Sequence, residues 1–120
     1  MATGERPASG DAPDGEPVDG RIAVVARMVA KAGRREELLK EVAPMLDVAA
    51  TEDGTLAYVV HRDAVDHDAI WFYEVYRDHD ARLAHQRSVT YRKLAERTPE
   101  LLASTPDVWP LTPAGAGKWV

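Results

Sequence analysis

The sequence contains no cysteine among its 120 residues, which excludes disulfide bonds, cysteine-ligated metal sites and thiol catalysis. Positive charge is also scarce, because 15 Lys and Arg stand against 20 Asp and Glu and give a formal net charge of −5. A nucleic-acid partner is not expected, since a protein that binds phosphates needs a surplus of basic residues. A membrane partner is not expected either, because no apolar run approaches the roughly 18 residues of a membrane span.

Motifs for cofactors and metals are missing as well. The chain has no Gly-x-Gly-x-x-Gly, no Walker loop and no Gly-x-Ser-x-Gly, which argues against dinucleotide, nucleotide and hydrolase chemistry. Its four histidines include no His-x-His and no pair four residues apart, the spacings that suit one metal ion. The sequence therefore predicts neither a cofactor nor a metal site.

The first twenty residues differ in composition from the rest. They are rich in Ala, Gly, Pro, Asp and Glu, and bury too little apolar surface to offset the entropy cost of ordering them. We predict a disordered acidic tail over 1–20, a single folded domain over 21–113 and a C-terminal extension over 114–120. The start carries no apolar segment behind basic residues, so it is not a secretory signal, and together with the absence of cysteine this favours the cytoplasm.

Hydrophobic periodicity predicts the elements of the domain. We predict strands over Arg21–Val29, about Thr55–Arg62, about Ala69–Arg77 and Asp107–Leu111. Apolar residues at helical spacing lie between Leu38 and Ala49, interrupted by Pro44, and a second helix begins after Asp78 as its N-cap and restarts at Ser88. The order β-α-β-β-α-β is that of the ferredoxin-like α+β fold, an antiparallel sheet with helices on one face.

One face of this sheet needs a further cover. Two helices cover a single face, yet the first and third strands are apolar on both. The uncovered face is expected to carry Val25, Val59, Trp71 and Tyr73, with His61 beside them. A second copy of the sheet is the simplest apolar cover, so the sequence predicts a homodimer.

Chemistry-bearing residues converge on the helix face. Glu74 alternates with Phe72 and Tyr76 along the third strand, and a carboxylate buried among aromatic rings needs a partner. His85 on the second helix is the predicted partner. The pair would orient the imidazole as a base, or it would only tie the helix to the sheet, and the residues alone leave both interpretations open.

Three tyrosines are expected near this pair. Tyr58, Tyr76 and Tyr91 would line one cavity between sheet and helices, with ordinary aromatic core as the alternative. The two remaining histidines, His67 and His79, fall in loop or cap positions and are expected to be exposed.

Three stretches resemble the antibiotic biosynthesis monooxygenase (ABM) family: Gly54–Tyr58, Phe72–Asp78 and Ala81–Ser88. Members typically show an acidic residue and a glycine before the second strand, with a tyrosine soon after. They also show Glu-x-Trp/Tyr closing the third strand and a helical Ala-x-x-x-His followed by Ser. The resemblance covers about Arg21–Pro113, with Thr55 replacing the usual Cys and Tyr76 the usual Trp.

The resemblance implies a dimeric α+β barrel, in which two sheets pack face to face. It further implies a cofactor-independent monooxygenase that oxidises an aromatic polyketide, anthrone or quinol with O2. His85, Glu74 and Tyr76 would then be catalytic, and the small aromatic substrate would lie against Tyr58, Phe72 and Tyr91. Because the fold does not fix the reaction, two alternatives stay open: a non-oxidative cyclase or isomerase acting on an enolisable carbonyl, and a ligand-binding dimer without turnover.

Overall fold

The computed structural model describes residues 20–118, and most of the predicted tail therefore lies outside the described residues. The elements are β1 Ile22–Val29, α1 Arg35–Ala49, β2 Thr55–Arg62, β3 Ala69–Tyr76, α2 His79–Gln86, α3 Val89–Arg97 and β4 Asp107–Leu111, with a 3-10 turn at Thr98–Glu100. The predicted ferredoxin-like α+β fold is confirmed. Within residues 20–118 no helix is long and apolar enough to cross a membrane.

The four strands form one antiparallel sheet in the order β2-β3-β1-β4. The register places Val24 opposite Glu74 on β3 and opposite Pro110 on β4, and Glu74 in turn faces Tyr58 on β2. These residues therefore share one face of the sheet. The sheet is open, and a barrel is not closed within a single chain.

The second predicted helix is divided into two. The Asp78 side chain accepts a hydrogen bond from the backbone N–H of Ala81 at the start of α2. The Ser88 hydroxyl accepts one from the N–H of Tyr91 at the start of α3. Each helix has its own N-cap, so the predicted caps at Asp78 and Ser88 are confirmed.

The core lies between α1, α3 and the helix face of the sheet. Leu38, Val42 and Met45 on α1 are fully buried and pack in one cluster with Ile70 and Phe72 of β3. The predicted disturbance at Pro44 does not end α1, which runs through this residue on its exposed side.

The opposite face of the sheet stays open. The Trp71 and Trp109 rings stack with centroids 5.9 Å apart, and the Arg27 guanidinium lies 5.7 Å from the centre of the Trp71 ring. Val59 and Trp109 remain 43% and 42% exposed. This face is therefore apolar and uncovered in the single chain.

Candidate active site

A cavity of about 560 Å³ lies between the helix face of the sheet and helices α2 and α3. Its volume falls in the range of small-molecule sites. β1 and β3 supply its floor, the two helices supply its roof, and residues 103–106 close one end before β4. The walls are mainly apolar and aromatic, with Glu74, Arg82, His85 and Gln86 as the larger polar groups.

Five of the six predicted site residues line this cavity: Tyr58, Phe72, Glu74, His85 and Tyr91. Tyr76 does not. It is fully buried behind the wall, where its hydroxyl donates a hydrogen bond of 2.5 Å to Glu74. The structure therefore brings the predicted set together but places Tyr76 behind the carboxylate rather than in the lining.

His85 sits among three tyrosine rings. Its ring centre lies 4.9 Å from that of Tyr58, 5.4 Å from that of Tyr76 and 5.5 Å from that of Tyr91. The side chain is only 2% exposed. The imidazole is thus held in one orientation by packing on several sides.

The carboxylate that binds His85 is Glu52, and the predicted Glu74–His85 hydrogen bond is wrong. His85 Nδ1 lies 2.7 Å from Glu52 Oε1, and the Thr55 hydroxyl donates to the same oxygen at 2.9 Å. Glu74 is instead committed to the Tyr76 hydroxyl. Two carboxylates therefore flank the site, each with its own partner.

Glu52 reaches His85 because the turn between α1 and β2 packs directly against α2. A Cβ atom at Gly54 would overlap the Cβ of Ala81, so glycine is required for this approach. Sequence reasoning missed Glu52 as a site residue. The family motif has an acidic residue before this glycine, but the sequence offers both Glu52 and Asp53 there and does not show which of them reaches His85.

The Glu52 contact fixes the tautomer of His85. A carboxylate accepts, so the hydrogen bond to Glu52 places a proton on Nδ1, and a ring with this single proton has its lone pair on Nε2. Nε2 is buried and has no hydrogen-bond partner among residues 20–118. A buried polar atom without a partner is rare, and such atoms are often found where a ligand or water binds.

Burial shifts the pKa values of the acidic groups around the cavity. It raises the pKa of Glu74 above its usual range, although the Tyr76 hydrogen bond and the nearby His85 and Arg82 side chains act to lower it. Burial also raises the pKa of Tyr58, Tyr76 and Tyr91, and the charge of Glu74 adds to each shift. The three phenols therefore stay protonated at neutral pH and are hydrogen-bond donors.

No metal-binding group is apparent in the described part of the chain, where no three or more His, Asp or Glu side chains are arranged to hold an ion.

Solved structures of proteins from other organisms share this fold. The structure is similar to that of Rv0793 from Mycobacterium tuberculosis, with 26% identity, a TM-score of 0.76 and coverage of 82% of this chain and 99% of that one. It is also similar to PA3566 from Pseudomonas aeruginosa, with 23% identity, a TM-score of 0.74 and coverage of 80% and 96%. Both likenesses concern the fold.

In sequence, the chain is 24% identical over 97 residues to sll1783 of Synechocystis, which corresponds to 81% of this chain and 66% of that protein. A sequence model described as antibiotic biosynthesis monooxygenase matches residues 21–97. That family includes monooxygenases, and the matched range contains Glu52, Glu74 and His85, whereas residues 103–106 at the end of the cavity lie beyond it. The chain therefore belongs to the antibiotic biosynthesis monooxygenase family.

Proposed function

We propose that this protein is a cofactor-independent monooxygenase that oxidises an aromatic polyketide, anthrone or quinol with O2. The observation that carries the proposal is the buried Nε2 of His85, which has no hydrogen-bond partner among residues 20–118 and belongs to a side chain that lines an aromatic cavity. A neutral imidazole held by a carboxylate is suited to act as a general base near neutral pH.

The substrate supplies the electrons in this reaction. Triplet O2 reacts slowly with neutral closed-shell molecules, whereas a deprotonated anthrone or quinol transfers one electron to it readily. With an anthrone, His85 Nε2 removes a proton from the ring methylene, and the carbanion and O2 combine by electron transfer and C–O bond formation. The resulting hydroperoxide takes back the proton and loses water, so that one oxygen atom becomes a ketone and the other leaves with both methylene hydrogens.

The remaining groups have separate tasks. Tyr58 and Tyr91 donate hydrogen bonds to the oxygens of the substrate, where negative charge develops as the proton leaves. Glu52 is a positioning residue, because it acts through Nδ1 of His85. Tyr76 is also a positioning residue in this scheme, since it orients Glu74 and does not line the cavity.

Oxygen uptake and product mass test the proposal together. Purified protein incubated with anthrone should consume O2 and release a product that has gained one oxygen and lost two hydrogens. His85→Gln should slow this turnover by about 10²-fold. His79→Gln is the matched control, because His79 is exposed at the start of the same helix and does not line the cavity.

Two results would contradict the oxygenase. Conversion of an enolisable substrate to a product of unchanged mass, without O2 consumption, would favour a cyclase or isomerase that uses the same base. Binding of anthrone and of a naphthoquinol without any turnover would favour a ligand-binding protein.

We also propose that two copies associate through the open face of the sheet. The support is the exposed apolar surface there, on which Val59, Trp109 and Leu111 are each more than 40% exposed. Monomeric soluble proteins rarely leave a contiguous apolar surface of this kind uncovered. A pair of sheets packed on these faces would be the two-chain form of the α+β barrel.

A further inference from the structure

Arg82 carries the only permanent positive charge among the cavity-lining residues that the structure describes. It lies on α2, three residues before His85, and side chains three residues apart in a helix are neighbours on one face. A ligand group bound by Arg82 would therefore lie one side chain away from the imidazole.

The Arg82 guanidinium has no hydrogen-bond or ion-pair partner in the part of the chain that the structure describes. Several other arginines are paired, for example Arg27 with Asp66 at 2.9 Å and Arg62 with Glu36 at 2.7 Å. Arg82, in contrast, makes no hydrogen bond or ion pair with any residue from 20 to 118, although it is partly buried. Five N–H donors and a charge are thus left at the cavity wall without an acceptor.

Glu74 does not neutralise this charge by direct contact. Its carboxylate accepts from Tyr76, and the influence of Arg82 on the pKa of Glu74 acts through space. Nor does the sequence require arginine for the helix itself, since Asp78 already caps α2 and Ala81 and His85 supply its buried residues. The unpaired guanidinium is therefore available to a ligand.

We propose that Arg82 makes the cavity selective for aromatic ligands that carry a carboxylate. The planar guanidinium presents parallel N–H groups that match the two oxygens of a carboxylate, and the adjoining aromatic walls fit the ring that bears it. The ring would then extend from Arg82 toward Tyr58, Tyr91 and His85. This inference rests on the proposed function in so far as the cavity is the substrate site.

Binding of two probes of the same shape tests it. Calorimetric titration with 2-naphthoate and with 2-naphthamide compares a carboxylate with a neutral amide on one ring system. We expect wild-type protein to bind the carboxylate about tenfold more tightly, a difference of about 1.4 kcal/mol. Arg82→Gln should bring the ratio close to one, and Arg87→Gln should leave it unchanged, because Arg87 is exposed, follows the same helix and does not line the cavity.

Two further variants keep the test decisive. Glu74→Gln removes the one negative charge in the lining and should preserve or increase the preference for naphthoate. Arg82→Lys keeps the charge without the forked donors and should give an intermediate ratio, which also covers the case in which Arg82→Gln does not fold.

The proposal is overturned if wild-type protein binds both probes equally or binds neither at millimolar concentration. It is also overturned if folded Arg82→Gln retains the preference. Because the titration involves no turnover, a carboxylate preference that persists in a protein without O2 consumption would count against the oxygenase and for the carboxylate site.

Discussion

Replacing Glu52 removes the hydrogen-bond acceptor that holds His85 in place. The resulting loss in the free energy of unfolding follows from the contacts that are broken. Glu52→Ala leaves Nδ1–H buried in a side chain that is 2% exposed, and also frees the Thr55 hydroxyl. A buried donor without a partner costs about 1–3 kcal/mol, and the lost hydroxyl bond adds about 1 kcal/mol. We therefore expect a loss of roughly 2–4 kcal/mol in the free energy of unfolding.

Glu52→Gln should lower the stability of the protein less than Glu52→Ala does, but it should strongly reduce turnover. The amide oxygen still accepts from Nδ1–H, but without charge, so we expect a loss of about 1 kcal/mol. The amide can also turn and donate through its NH2 group, which would move the proton of His85 to Nε2 and remove the base. Turnover should therefore fall by about 10²-fold even where the protein remains folded.

Denaturant unfolding, turnover and ring ¹⁵N NMR on the same preparations check these values. Wild-type His85 should show the Nδ1–H tautomer when neutral, with the exposed histidines His61, His67 and His79 as internal references. Asp53→Asn is the matched control, because it removes a negative charge from the adjacent exposed residue. It should stay within about 0.5 kcal/mol of wild type.

A double-mutant cycle tests whether Glu52 and His85 are coupled. In a His85→Ala background, Glu52→Ala should cost at least about 1 kcal/mol less than it does in wild type, because its partner is already gone. Equal costs in the two backgrounds would mean that Glu52 and His85 are not coupled. An Nε2–H tautomer in wild-type protein would refute the assignment of the lone pair.

Three further outcomes are expected. Burial raises the folded-state pKa of Glu74, so the stability of the wild type should fall as the pH rises from the ordinary carboxyl range through that raised pKa. Glu74→Gln should therefore melt at a higher temperature than wild type at neutral pH and lose this advantage in acid. A variant that melts at a lower temperature at every pH would contradict the pKa shift. Sedimentation should give about twice 13.2 kDa for wild type and a folded monomer for Val59→Glu, and a monomeric wild type would remove the proposed dimer. Deletion of residues 1–19 should leave the melting temperature and the turnover nearly unchanged, and a clear drop in melting temperature would show that the tail packs on the domain.

Local patterns were sufficient for the architecture. The β-branched runs, the Asp78 and Ser88 caps and the helical spacing from Leu38 to Ala49 each depend on residues close together in sequence, and all recur in the structure. The strand alternation likewise put Phe72 and Glu74 on the helix face, where both line the cavity. The fold and five of the residues that line the cavity were therefore predictable from the sequence.

The partners of the buried charges were decided by tertiary structure. Glu52 and His85 are 33 residues apart, and their contact depends on how closely Gly54 lets the α1–β2 turn approach Ala81. Sequence alternation placed Glu74 on the correct face. It did not show that the Tyr76 hydroxyl, two residues along the same strand, would donate a hydrogen bond to this carboxylate. Arg82 was on a predicted helix, yet only the packing of α2 over the sheet shows that its guanidinium lines the cavity and makes no ion pair with an acid among residues 20–118. A periodic pattern fixes which face a side chain occupies, whereas its partner is fixed by distances of a few ångströms between segments that the chain brings together only on folding.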